Sequence, residues 1–143
     1  MPTTVHPSLY LEELLQALNS FEFPLMVFHI KGGVTSRWYV NKAGAALTGY
    51  TPGEIMGLPM LGTVMPSDRG RVGKLMQEAA LGQAQAGVVA MVVQHKLGHH
   101  IPVEVSFVVQ QRADDTLIFS WTRDVSAERS EEHTSELQSR SDL

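Results

Sequence analysis

The densest group of metal-ligating side chains in the sequence is His95, His99 and His100, set about Gly98. His99 and His100 are adjacent, and successive side chains on a strand point to opposite faces. A structural zinc site needs at least three convergent ligands. Asp114 and Asp115 fall in a separate turn, and nothing in the spacing carries them to the histidines. The three histidines therefore read as solvated residues at a hairpin tip, and no metal is expected. The chain has no cysteine, which excludes disulfides, thiolate nucleophiles and zinc–thiolate sites. No Ser/His/Asp order sits in a nucleophile context, and no glycine-rich loop leads from a strand into a helix. Glu54 and Asp68 are better explained as helix-start residues. His29, single on an apolar strand, reads as a hydrogen-bonded core or edge residue. A small α+β enzyme would require a carboxylate or histidine inside a pocket, and the chain reads as not an enzyme.

The elements that must position any site are clearest between Tyr39 and Gly57. Trp38-Tyr39-Val40 favours a strand end. Asn41 suits a helix N-cap, because its side chain accepts from an amide one turn on. Ala43, Ala45, Ala46 and Leu47 form a short helix of small residues that Gly49 stops. Thr51-Pro52-Gly53-Glu54 spells a capping box with proline at the first helical position, and Gly57 ends that second helix.

This stretch closely resembles the middle of a PAS domain, the sensory α/β module of signalling proteins. The family pattern (V/Y)-V-N-x-A-x-x-x-L-T-G-Y-(S/T)-x-x-E-(I/L)-x-G is met at every fixed position from Tyr39 to Gly57. Met65-Pro66-Ser67-Asp68-Arg69 resembles the family's H-P-x-D-R entry to its longest inner helix, with Met65 in place of histidine.

Taken in order, Ser8 can cap a helix running to about Asn19, with Leu11, Leu14, Leu15 and Leu18 as one apolar stripe. Strands are expected over Pro24–Ile30 and Val34–Val40, joined at Gly32-Gly33. Leu58 to Val64 is expected to be a short helical turn. Ser67 or Asp68 can cap the longer helix, whose stripe is Val72, Leu75, Met76 and Ala79 and whose end is Gly82. Three strands follow, over Gly87–Lys96, from Ile101, and over Thr116–Asp124. On the second, Ile101, Val103, Val105 and Phe107 face the core. On the last, Leu117, Phe119 and Trp121 oppose Ile118, Ser120 and Thr122. The first of these faces needs a cover, and the N-terminal helix is the available one. The fold class is α+β: a five-stranded antiparallel sheet with short inner helices, one longer inner helix and an N-terminal flanking helix. The divisions are 1–21 (flanking helix), 22–125 (PAS core) and 126–143 (start of an output linker helix, then tail).

The resemblance implies a cavity between sheet and inner helices. In flavin photosensors of the light-oxygen-voltage type, the reactive cysteine would fall at Met60, which cannot form a thiol adduct. Their flavin-binding amides would fall at Val93, Val103 and Thr122, and two valines leave a flavin's polar edge unpaired. Haem-binding relatives commonly use a histidine on the long inner helix, and Ser67 to Gln83 contains none. No flavin or haem is therefore expected. The cavity lining expected is Asn41, Leu47, Met76, Val89, Met91, Val93, Val103, Val105, Ile118, Ser120 and Thr122. It is either a filled core or the site of a small, mostly apolar ligand oriented by Ser120, Thr122 and Asn41. Arg123-Asp124-Val125-Ser126 is similar to the signature where PAS domains hand over to an output helix, which implies a signal-relay role for Arg123, Asp124 and Ser126.

At 143 residues and 43% apolar composition, one domain with a core is expected. The longest apolar run, Val88 to Val93, cannot span a bilayer, and no signal peptide opens the chain. Arg129 to Ser139 resembles a translated DNA-sequencing adapter, the other reading being a native polar helix. Of the net charge of −4, −3 lies from Ser130 onward, leaving −1 for residues 1–129. A nearly neutral domain has no footprint for nucleic acid or anionic lipid. The expected function is a sensory or regulatory domain of a truncated cytoplasmic, bacterial-type signalling protein, two-component systems included. It relays ligand or partner binding to a C-terminal output domain. The alternative is a ligand-free dimerisation module. A homodimer through Leu11, Leu14, Leu15, Leu18 and Trp121 is expected.

Overall fold

The computed structural model describes residues 7–129, with side chains from Glu12 onward. A helix comes first, α1 (Pro7–Ser20), followed by a hairpin of β1 (Leu25–Lys31) and β2 (Val34–Val40). Gly32 and Gly33 make the connection with φ of 58° and 76°, the left-handed pair that a two-residue hairpin turn of matching twist requires. Two short helices follow, α2 (Lys42–Leu47) and α3 (Pro52–Met56), then the longer α4 (Pro66–Ala80). The chain ends in three long strands, β3 (Ala86–Gln94), β4 (His100–Gln111) and β5 (Thr116–Asp124). All pairings are antiparallel, in the order β2-β1-β5-β4-β3. The three inner helices thus carry the chain from one edge of the sheet to the other.

The capping chemistry forms as its residue types dictate. Asn41 Oδ1 accepts from Gly44 N at 2.8 Å. Thr51 and Glu54 close a reciprocal capping box around Pro52. Apolar burial then fixes the helices on the sheet. One cluster joins Val64 and Val72 to Met91, Val93, Ile101 and Val103. A second joins Ile30, Ala79, Phe107 and Ile118, and a third joins Val40, Ala45 and Ile55. Each buried Val, Ile, Met or Phe side chain among these contributes roughly 1.5–3 kcal/mol.

Three local expectations are corrected. Leu58 to Val64 is a turn rather than a helix, and Val64 instead forms a bridge to Val93. Neither Ser67 nor Asp68 caps α4, whose N-cap is Met65 with no side-chain bond. Pro66 takes the first helical position, so Asp68 lies beyond capping reach. Its carboxylate accepts from Val92 N at 2.8 Å and pairs with Arg71 at 3.2 Å, tying α4 to β3.

The third correction concerns α1. It does not cover the Leu117/Phe119/Trp121 face, and Phe119 and Trp121 remain 40% and 41% exposed. Hydrogen bonds hold α1 beside the end of β2 instead. Asn41 Nδ2 donates to Leu18 O, Tyr39 Oη donates to Asn19 Oδ1, and Lys42 N donates to the same oxygen. Leu15 and Leu18 are half-buried there, while Leu14 is exposed. The side chain of Leu11 and the whole segment 130–143 lie outside the described residues.

Candidate functional site

Between the inner face of the sheet and helices α2–α4 lies a cavity of about 140 Å³. Strand register builds its floor row by row. Val89, Val105 and Thr122 form one row, Phe107, Ser120 and Met26 the next, and Ile118, Phe28 and Arg37 the third. The cavity sides come from Leu47, Ile55, Leu75 and Met76 on the helices, and from Met60, Leu61 and Thr63 in the turn before α4.

Leu47, Met76, Met91, Val93, Val103, Val105, Ile118, Ser120 and Thr122, all expected at the pocket, line the cavity, as does Val89. Asn41 does not. It is wholly buried, and backbone groups consume its side chain. Oδ1 accepts from Leu25 N and Gly44 N, and Nδ2 donates to Leu18 O and Phe23 O, all within 3.0 Å. No polar atom is left to orient a ligand. Ser120 also spends its proton internally, donating to Met26 O at 2.9 Å, so its oxygen faces the cavity as an acceptor.

Sequence reasoning missed Met26, Phe28, Ile55 and Leu61 among the lining residues, and Arg37 is the charged one it missed. Arg37 is 8% exposed. Its Nη1 donates to Leu58 O at 2.7 Å, and its Nη2 donates to Pro59 O at 2.9 Å and Met60 O at 3.0 Å. Its Nε–H is buried without a partner. Burial pushes the guanidinium down from its ordinary range. The alternation Trp38, Val40 would place Arg37 outside. However, Val27 pairs with Tyr39 while Phe28 pairs with Arg37, so Trp38 is one extra residue on β2. That bulge reverses the alternation, bringing Arg37 inward and Trp38 out.

The two other groups of candidate residues lie away from the cavity. His95 and His99 stack ring on ring, with centroids 4.2 Å apart, an arrangement that does not aim their nitrogens at one point. Among the described residues no group of three or more His, Cys, Asp or Glu is placed to hold a metal. At the end of β5, Asp124 Oδ1 accepts from Ser126 N at 2.9 Å and from Ser126 Oγ at 2.6 Å. It thereby satisfies the opening of a helical turn over 126–129. Arg123 pairs with Glu104 at 3.4 Å and with Glu128, clamping that turn to β4.

Solved structures share this architecture. The PAS domain of a two-component sensor histidine kinase superposes with a TM-score of 0.64 at 13% identity, covering 83% of this chain and 99% of that one. The N-terminal domain of a diguanylate cyclase with PAS/PAC sensor from Marinobacter aquaeolei gives 0.57 at 16%, covering 73% and 98%. A light-oxygen-voltage domain studied with a flavin analogue gives 0.62 at 15%, covering 90% and 96%. No curated protein matches the sequence. Among the described residues no helix is long and apolar enough to cross a membrane. A family model described as PAS fold matches residues 37–122, more than half of the 143. That span runs from the inward arginine of β2 to the last cavity-facing threonine of β5, and with the five-stranded antiparallel sheet it shows that this chain belongs to the PAS-fold family.

Proposed function

We propose that the chain is a sensory PAS domain, with residues 22–125 as its core, that reads occupancy of the cavity and relays it to a C-terminal output domain. One observation carries this reading: β5 presents Ile118, Ser120 and Thr122 to the cavity and runs directly into the Arg123–Asp124–Ser126 junction. A ligand that fits better with β5 shifted moves the helical turn after it, and a helix leaving a sheet acts as a lever on whatever follows. The neighbours drawn from a sensor kinase and a cyclase make such an output domain the natural partner. A cytoplasmic signalling protein of bacterial type fits this reading, and the domain itself performs no catalysis.

On this reading the cavity holds no flavin. By the resemblance to flavin photosensors, Val93 and Val103 fall where a flavin edge needs partners and Met60 falls where a thiol would be required, and all three line the cavity. An apolar cavity of about 150 Å³ accommodates benzene, and a three-ring cofactor far exceeds that. Native mass spectrometry of freshly purified protein, against the denatured chain, tests the sensory reading. A released small mass, with hydrogen exchange at 123–129 slowed when it is bound, is expected. A released flavin or haem would overturn the exclusion argued from the lining. An empty chain whose junction exchange never responds to added small apolar molecules would favour the second reading.

That second reading is a ligand-free dimerisation module. It is supported by the exposed side chains Val88, Val108, Phe119 and Trp121, which stand on the sheet face opposite the cavity.

A further inference from the structure

Arg37 is the one charged side chain among the described residues that line the cavity. Among the described residues no carboxylate pairs with it. A cation taken out of water is costly unless a counter-charge or a full set of hydrogen bonds replaces the water. Three backbone carbonyls supply part of that set, and the Nε–H remains orphaned. The register row that contains Ile118 and Phe28 sets Arg37 on the cavity floor, so a guanidinium with an incomplete set of partners borders a space lined mainly by apolar side chains.

We propose that the cavity takes a small monocarboxylate, an apolar body of about benzene size bearing one carboxylate, and that Arg37 is the residue that receives the carboxylate. This rests on the sensory reading above and adds the class of ligand. The planar guanidinium fork matches a carboxylate in two parallel bonds. A neutral acceptor would satisfy the orphaned N–H and leave the charge uncompensated. A dicarboxylate would bring a second charge to a wall with no second cation. The same guanidinium also holds Leu58, Pro59 and Met60, and Met60 and Leu61 line the cavity themselves. A carboxylate that engages Arg37 competes with those carbonyls, so occupancy is felt at the turn before α4 as well as at β5.

The test is isothermal titration calorimetry on the full chain with benzoate and hexanoate against their isosteric amides, benzamide and hexanamide. The acids should bind at least about tenfold tighter than the amides, the size of one charge-assisted contact. Arg37→Gln should erase that ratio, and Arg37→Lys should restore part of it. Should Arg37→Gln fail to fold, the wild-type acid-to-amide ratio decides alone. Equal binding of acids and amides would overturn the carboxylate proposal and leave the sensory reading standing. No binding by any of the four compounds would overturn both at this ligand size.

Discussion

Asp115 is held by two basic side chains at once. Arg112 donates to both of its oxygens, at 2.6 and 2.5 Å, and His29 Nε2 lies 2.8 Å from Oδ2. His29 stacks on Trp38 at 4.2 Å, and Arg112 sits over the same ring. Arg112 first, and His29 after it, pull the Asp115 carboxyl from an ordinary 3.8 to about 2. A carboxylate with a lowered folded value stabilises the fold above its ordinary range and loses that contribution as pH falls through the folded value. The difference in Tm between wild type and Asp115→Asn should therefore be full at about pH 5 and shrink toward about pH 2. A difference independent of pH would mean that the charge of Asp115 contributes nothing. At this scale the sequence was readable where a side chain answers local backbone, as Asn41 and Glu54 do at their caps. It was silent on Arg37, because the partners of that guanidinium are carbonyls some twenty residues away, and carbonyls carry no residue signature.

Helix α2 crosses the start of β1 at Gly44, and the crossing is close. A Cβ there would lie 2.9 Å from Leu25 O and 2.9 Å from Val40 Cγ2. Alanine is the better helix former by about 1 kcal/mol. Against that, overpacking costs about 1–3 kcal/mol, and the nearer obstacle includes backbone that cannot rotate away. Clash should win, and Gly44→Ala should lower stability by up to about 2 kcal/mol in chemical denaturation. A gain in stability would show that α2 slides freely on β1. The elements themselves were legible, since period-two and period-3.6 patterns and capping residues are local signals. Their placement was less so. The leucine stripe of α1 shows that the helix has an apolar side, yet Tyr39, Asn41 and Asn19 decide where it docks. The bulge at Trp38 inverted the alternation in β2 without any glycine or proline to announce it.

Across the whole molecule, one sheet face is committed to the cavity and the other keeps Val88, Val108, Phe119 and Trp121 in solvent. We expect two chains to associate through that second face. Phe119→Glu combined with Trp121→Glu should convert a dimer into a monomer in sedimentation velocity, while the cavity binding described above is retained. A wild type that sediments as a monomer at every concentration would remove the homodimer from the reading. The cavity wall was largely legible because its floor residues alternate cleanly along β4 and β5. The order of the strands was not legible, since alternation alone does not say which strands are neighbours. That order has a consequence for synthesis. The middle of the sheet joins β1 to β5, and Ser120 reaches Met26 across 94 positions of chain. On a ribosome the first hairpin must wait for nearly the whole domain to emerge before its central edge is covered. Such long-range closure is slow and leaves apolar strands exposed meanwhile. The nascent chain is therefore most exposed to misassembly and to chaperone capture just before β5 is released.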